Sequence, residues 1–172
     1  MFDEDMLPTV GHLGVPLILM HMRGTPETMQ SMTDYSGWGV VKEVTRCLQQ
    51  QSHVAAEQHC IYHWLQILDP GIGFAKDMDG NLELLRNVGQ IRQDCGSTPI
   101  MLGTSRKGFL GKLTGVKAPN QRDPATVASC VAALALAGPG PAMLRVHNVA
   151  DCHQATKVLD AILNESTSQE TQ

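Results

Sequence analysis

Four short apolar runs, each closed by polar residues, constrain this chain more than any other feature. They are VPLILMHM (15–22), WLQIL (64–68), PIMLGTS (99–105) and AMLRVHNV (142–149). Apolar on both faces, they read as strands buried within a parallel sheet rather than as half-solvated antiparallel strands. Parallel neighbours need a crossover, usually a helix, and helical stretches lie between the runs. Residues 39–59 place Val40, Val41, Val44 and Leu48 on one face. NLELLRNVGQIRQD (81–94) gathers Leu82, Leu85, Val88 and Ile91. DPATVASCVAALALAG (123–138) starts with Asp123 as N-cap and Pro124 at the first helical position, and stops at Gly138. ADCHQATKVLDAIL (150–163) follows the last run, and FDEDMLPTVGHLG reads as a helix leading into the first. The alternation predicts a right-handed β/α architecture with four strands.

At 172 residues the chain reads as one domain with a core of its own. Its net charge of −4 argues against a broad nucleic-acid or membrane surface, so an anionic ligand must be held by a local cluster of cations. No apolar stretch approaches the roughly 20 residues of a membrane span. The five scattered cysteines lack a Cys-x-x-Cys pair, which suits a reduced compartment. The acidic opening MFDEDML resembles neither a signal nor a transit peptide. The expected location is the cytoplasm, or an organelle if a targeting segment lies upstream. Residues 1–164 are assigned to the domain, and the polar segment 165–172 to a frayed tail.

Parallel β/α folds bind ligands at the carboxyl ends of their strands. Met20, His21, Met22 and Arg23 end the first run, and Asp69 with the loop PGIGFAK ends the second. The third ends in Gly103, Thr104, Ser105, Arg106 and Lys107, and the fourth in Arg145, Val146, His147 and Asn148. Arg145 and His147, two apart on a strand, share a face. The last helix begins just after them, and its amides favour anions. These donors and cations suit a phosphate or a carboxylate. Asp69, an acceptor-only group at the end of an apolar strand, suits the paired donors of a planar ring edge. Pro70, Gly71 and Gly73 allow a tight turn, and Phe74 offers a stacking surface.

The segments LMHMRGTPETMQ (19–30), DPGIGFAK (69–76), GTSRKGFLG (103–111), RDPAT (122–126) and RVHNV (145–149) resemble, in order, motifs of the dihydropteroate synthase family. The resemblance runs from about Phe2 to Ala161 and matches the family's fifth to eighth strands. It implies a (β/α)8 TIM-barrel fold, here an incomplete barrel of about four β/α units. It also implies a transferase of folate biosynthesis. That reaction joins 6-hydroxymethyl-7,8-dihydropterin diphosphate to 4-aminobenzoate, giving dihydropteroate and diphosphate, with magnesium. Carried over by motif, Asp69 binds the pyrimidine edge of the pterin and Lys107 the opposite part of the ring system. Arg145 covers the pterin face and, with His147, holds the diphosphate. Ser105 and Arg106 line the aminobenzoate region with Phe74 against it, while Met20 and Gly103 shape the pterin pocket. Lys107, Arg145 and His147 are the implied catalytic residues; no protein metal ligand is assigned.

The family's first four strands have no counterpart here, and with them go a loop asparagine that helps bind magnesium and diphosphate, and further pterin contacts. The chain is therefore expected to be an active half, a catalytically incomplete pterin-binding half-barrel needing a complementing N-terminal half, or one protomer of a homodimer. A methyltetrahydrofolate-binding methyltransferase shares such a barrel, but its substrate carries no diphosphate for the Ser-Arg-Lys and Arg-Val-His motifs. A metal-dependent hydrolase is the generic rival, since His21, Asp69 and His147 all end strands, yet it would want a His-x-His pair on an early strand. His59 and His63, four apart beside Cys60, lack a third ligand at matching spacing. His21 reads equally well as a structural residue or as part of the site.

Overall fold

The computed structural model describes residues 3–163. In chain order the elements are α1 (Met6–Leu13), β1 (Leu17–Met20), α2 (Val40–His59), β2 (Gln66–Asp69), α3 (Met78–Arg86), α4 (Val88–Asp94), β3 (Ile100–Leu102), α5 (Gly108–Thr114), α6 (Asp123–Ala137), β4 (Ala142–Leu144) and α7 (Val149–Leu163). The strands form one parallel sheet in the order β1-β2-β3-β4. Each strand is therefore added on the same side of its predecessor. With right-handed crossovers, that order places the connecting helices on one face.

The register identifies that face. Leu19, Leu68, Ile100 and Ala142 lie in one row across the sheet. Leu19, Leu68, Ile100 and Leu102 join Val44, Leu48, Leu84, Val88, Ile91 and Ala133 of the helices in a single buried cluster. Each such aliphatic side chain contributes roughly 1.5–3 kcal/mol by leaving water. On the alternate positions Ile18 remains 44% and Met143 45% exposed. The four-stranded sheet thus has one face covered by helices and one largely open.

Several elements differ from the sequence reading. The fourth run is a strand only over Ala142–Leu144, so Arg145 and His147 lie past its end rather than on it. The ladder closes where the Arg145 amide donates to the Leu102 carbonyl (2.9 Å), the last residue of β3. The second strand starts at Gln66, because His63–Leu65 coil into a 3₁₀ turn. The helix expected over 81–94 is two helices broken at Asn87, whose backbone leaves helical geometry and whose side-chain amide donates to the Glu83 carbonyl (2.8 Å). Asparagine inside a helix competes with the backbone in this way. Asp123 is the first residue of α6 and not its cap, because its carboxylate is engaged by Arg106. The tail 165–172 lies outside the described residues.

Candidate functional site at the carboxyl ends of the strands

The pleat points alternate residues to the open face. Met20 is paired in register with Asp69, and Met101 with Met143. Two residues further along β3 and β4 come Gly103 and Arg145. The open face thus ends at a rim carrying Met20, Asp69, Gly103 and Arg145.

Asp69 is only 2% exposed. One carboxylate oxygen accepts the Gly71 amide (2.7 Å), and its backbone carbonyl accepts the His21 amide (3.0 Å). Burial pushes its carboxyl above the ordinary value; the Gly71 amide, Lys107, Arg145 and Lys76 pull it back. Three basic side chains therefore act on one buried acid. Gly71 has φ +70°, and a Cβ there would overlap the His21 carbonyl, so only glycine fits.

The loop after Asp69 is closed by two ammonium groups. Lys107 donates to the Ile72 carbonyl, and its Nζ lies 4.5 Å from the centroid of the Phe74 ring. Burial lowers Lys107 to about 8, against the opposing pull of Asp69. Lys76 donates to the Phe74 carbonyl (2.8 Å) and lies 3.0 Å from His21 Nδ1. Burial, the larger effect, lowers Lys76 to about 7. Asn81 of α3 braces the loop by accepting the Gly73 amide (2.5 Å) and donating to the Asp77 carbonyl (2.6 Å).

On the other side of the rim, Ser105 Oγ meets His147 Nδ1 (2.8 Å) and accepts the His147 amide (3.2 Å). The Arg145 guanidinium lies so close to Gly103 that a Cβ there would stand 3.3 Å from it. Arg106 is turned outward, in the left-handed region (φ +60°), and grips Asp123 with two bonds of 2.7 and 2.8 Å. Its guanidinium is thus committed to the start of α6, while its neighbours Ser105 and Lys107 face the rim. Met20 is half-buried beside Asp69.

A cavity of about 470 Å³ opens beside the loop after β2, between Gly73, Phe74, Lys76, Lys107 and Met29. A larger groove of about 650 Å³ runs along α2, α3 and α4, and no strand-end group lines it. Of the expected site residues, Phe74 and Lys107 line the smaller hollow, whereas Met20, Asp69, Gly103, Ser105, Arg106, Arg145 and His147 line neither. No group of three or more His, Cys, Asp or Glu among the described residues could hold a metal ion. No described helix is long and apolar enough to cross a membrane.

Reading along the chain missed Lys76, His21's partnership with it, and Asn81. Lys76 closes the motif that supplied Asp69 and Phe74, so its place was visible but its partner, 55 positions away, was not. His21 is 2% exposed, and burial, with Lys76 and Arg23, lowers its imidazole to about 3. The unfolded chain takes up that proton near pH 6.5. Between these values the unfolded state binds more protons, so this contribution is complete above pH 6.5 and fades as the pH falls toward 3. Denaturation at pH 7 and pH 5 should show a loss of about 2 kcal/mol from this source, at about 1.4 kcal/mol per unit. The His21→Gln variant should lose correspondingly less; an identical pH dependence would refute the assignment. Asp69 contributes with the opposite sign and is present in both proteins.

Comparison with known proteins places this geometry. Residues 1–147 match the family model described as pterin binding enzyme. The chain is 38% identical over 173 residues to the Folate synthesis bifunctional protein, mitochondrial, of Pisum sativum, covering 96% of this chain and 33% of that protein. It is 36% identical over 161 residues to the Dihydropteroate synthase of Synechocystis, covering 94% of this chain and 53% of that one. Among solved structures, dihydropteroate synthase from Thermus thermophilus in complex with 6HMPPP superposes with a TM-score of 0.84 at 34% identity, over 94% of this chain and 61% of the other. The same enzyme in complex with 4-aminobenzoate gives the same score, over 94% and 62%. The chain thus spans between a third and about half of the two sequence relatives, and by the match over residues 1–147 it belongs to the pterin-binding enzyme family.

Proposed function

We propose that this chain supplies strand units five to eight of a (β/α)8 dihydropteroate synthase barrel and needs the first four to catalyse. The observation that carries this reading is Asp69: a buried carboxylate among Lys107, Arg145 and Lys76, at the strand ends of an open sheet face. A closed barrel would cover that face. The sequential strand order and the partial coverage of the relatives support the same reading.

The proposed substrates are 6-hydroxymethyl-7,8-dihydropterin diphosphate and 4-aminobenzoate. Asp69 accepts the donors of the pyrimidine edge, a charge-assisted contact, and Lys107 donates to the opposite part of the ring. Met20 and Gly103 shape the pterin pocket, and the bare Cα of Gly103 lets Arg145 lie close over the ring. Arg145 and His147, with the N-terminus of α7, hold the diphosphate. Ser105 orients His147 and, with Phe74, lines the aminobenzoate side. Arg106 acts there through its grip on Asp123.

The exocyclic carbon–oxygen bond breaks first and diphosphate leaves with the electron pair. The aniline nitrogen then bonds to the cationic methylene and gives up one proton. These residues stabilise the departing charge and align the partners. Magnesium, which the resemblance implies, prefers oxygen ligands. In the diphosphate region Arg145 and His147 offer such an ion no oxygen, and the Asn148 side chain is engaged with Asp151, so these residues do not fit a magnesium site.

The domain is proposed to occupy residues 1–164, with a complementing N-terminal half as its principal partner and a homodimer as the other arrangement. A pterin kinase fused upstream is a further proposed partner, in keeping with the bifunctional names of some relatives. A cytoplasmic or organellar location accords with this chemistry. The test is complementation: co-expression with the first half of the Synechocystis enzyme should give dihydropteroate, while either half alone should give none. Turnover by the chain alone would overturn the dependence, and failure of the folded pair to bind pterin would overturn the function.

A further inference from the structure

We infer that Lys76 and His21 form a positioning pair that sets the Phe74 wall and the Lys107 ammonium of the proposed aminobenzoate subsite. This inference rests on the functional reading above and adds two residues to it.

Lys76 is 4% exposed, and no carboxylate of the described residues forms a salt bridge with it. A solvated surface lysine does not take such a place, and a buried ammonium must direct its donors to good acceptors. Its two partners belong to different elements. His21 Nδ1, just past the end of β1, stands 3.0 Å away, and the neutral imidazole accepts there. The Phe74 carbonyl, in the loop after β2, accepts at 2.8 Å. The pair therefore pins the loop to the neighbouring strand at one point.

That point controls the subsite. Residue 75, between the pinned carbonyl and Lys76, is an alanine at φ +52°, a left-handed conformation disfavoured for a residue with a Cβ. Something must hold it, and the bond from Lys76 Nζ to the Phe74 carbonyl closes the chain around it while His21 anchors the same ammonium. The Phe74 ring carries the Lys107 ammonium on its face, and Lys107 closes on the Ile72 carbonyl of the same loop. Releasing Phe74 would let the ring and the ammonium swing together. Lys76 also lines the cavity beside this loop with Phe74 and Lys107. The other charged and titratable groups that act on it are Asp69, Lys107, Arg23 and Cys47, and among the described residues none of them is hydrogen-bonded to it.

The test uses the full chain labelled with 4-fluorophenylalanine at its three phenylalanines, free and with its complementing half. In Lys76→Met the ¹⁹F resonance of Phe74 should move or broaden while that of Phe109 stays. The affinity for 4-aminobenzoate should fall about tenfold, with the affinity for 6-hydroxymethylpterin changed by less than about twofold. Lys76→Arg should recover part of the loss, and His21→Gln should reproduce it. His21→Gln also carries the test if Lys76→Met does not fold. An unmoved Phe74 resonance, or equal weakening of both ligands, would overturn the inference. A wild-type complex that binds neither ligand would reject the functional reading instead, and the resonances would still decide whether the pair holds Phe74.

Discussion

Replacing Asp69 with asparagine should lower affinity for 6-hydroxymethylpterin at least about a hundredfold. A hydrogen bond to a charged group is worth roughly 1.5–3 kcal/mol, and an edge-on ring offers two. The substitution keeps the size of the side chain but removes the charge and turns a donor toward ring donors. Lys107, Arg145 and Lys76 also lose the acid they act on. The effect on folding should be much smaller, because the buried carboxylate is itself costly and its loss offsets part of the lost attraction. Calorimetric titration of the reconstituted barrel reads the affinity, and urea denaturation reads the fold. Unchanged pterin affinity in a folded variant would remove Asp69 from the site.

Gly71→Ala should destabilise the chain by about 3 kcal/mol or more, as forced overlaps in packed positions do. The new Cβ would run into the His21 carbonyl. Neither segment can yield easily, because Asp69 ties both down: its carbonyl accepts the His21 amide and its carboxylate accepts the Gly71 amide. Gly14→Ala is the matched control. Gly14 has φ +62° with nothing within 4 Å of its would-be Cβ. It should cost only the left-handed penalty of about 1 kcal/mol. Urea midpoints of the two variants separate the effects; equal losses would mean that the crowding at Gly71 is relieved at no cost.

The strand-end residues were legible because each closes an apolar run: Asp69 after QIL, Ser105 and Lys107 after IMLGT, Arg145 after AML. Their grouping follows from parallel β/α topology, which brings the same end of every strand to one rim. What stayed hidden depended on tertiary partners. Arg106 looked equivalent to Lys107 in sequence, yet the left-handed turn at residue 106 sends one side chain out to Asp123 and its neighbour in to Ile72. α5 escaped notice because its sequence, GFLGKLT, carries two glycines, weak helix formers. The break at Asn87 was masked by an apolar period that continues across it. The link from Lys76 to His21 has no local signal, since each alone is a polar residue at the end of an apolar segment. The strand ladder, a property of neighbours, set where β4 stopped; hydrophobicity alone extended it too far.

The order of strands in the sheet has a kinetic consequence. Parallel neighbours flank β2 and β3 on both sides, whereas β1 and β4 each have one. Local opening begins where the fewest bonds must break, so amide exchange should be slowest at the middle of the sheet and fastest at its borders. Asp69 ends one of the middle strands, and Arg145 and His147 follow a border strand of three residues. Asp69 is thereby anchored in the slowest-opening part of this chain, and Arg145 and His147 on the part that loosens first. Pairing of β1 and β4 with the proposed complementing half should remove that difference and slow exchange at both borders.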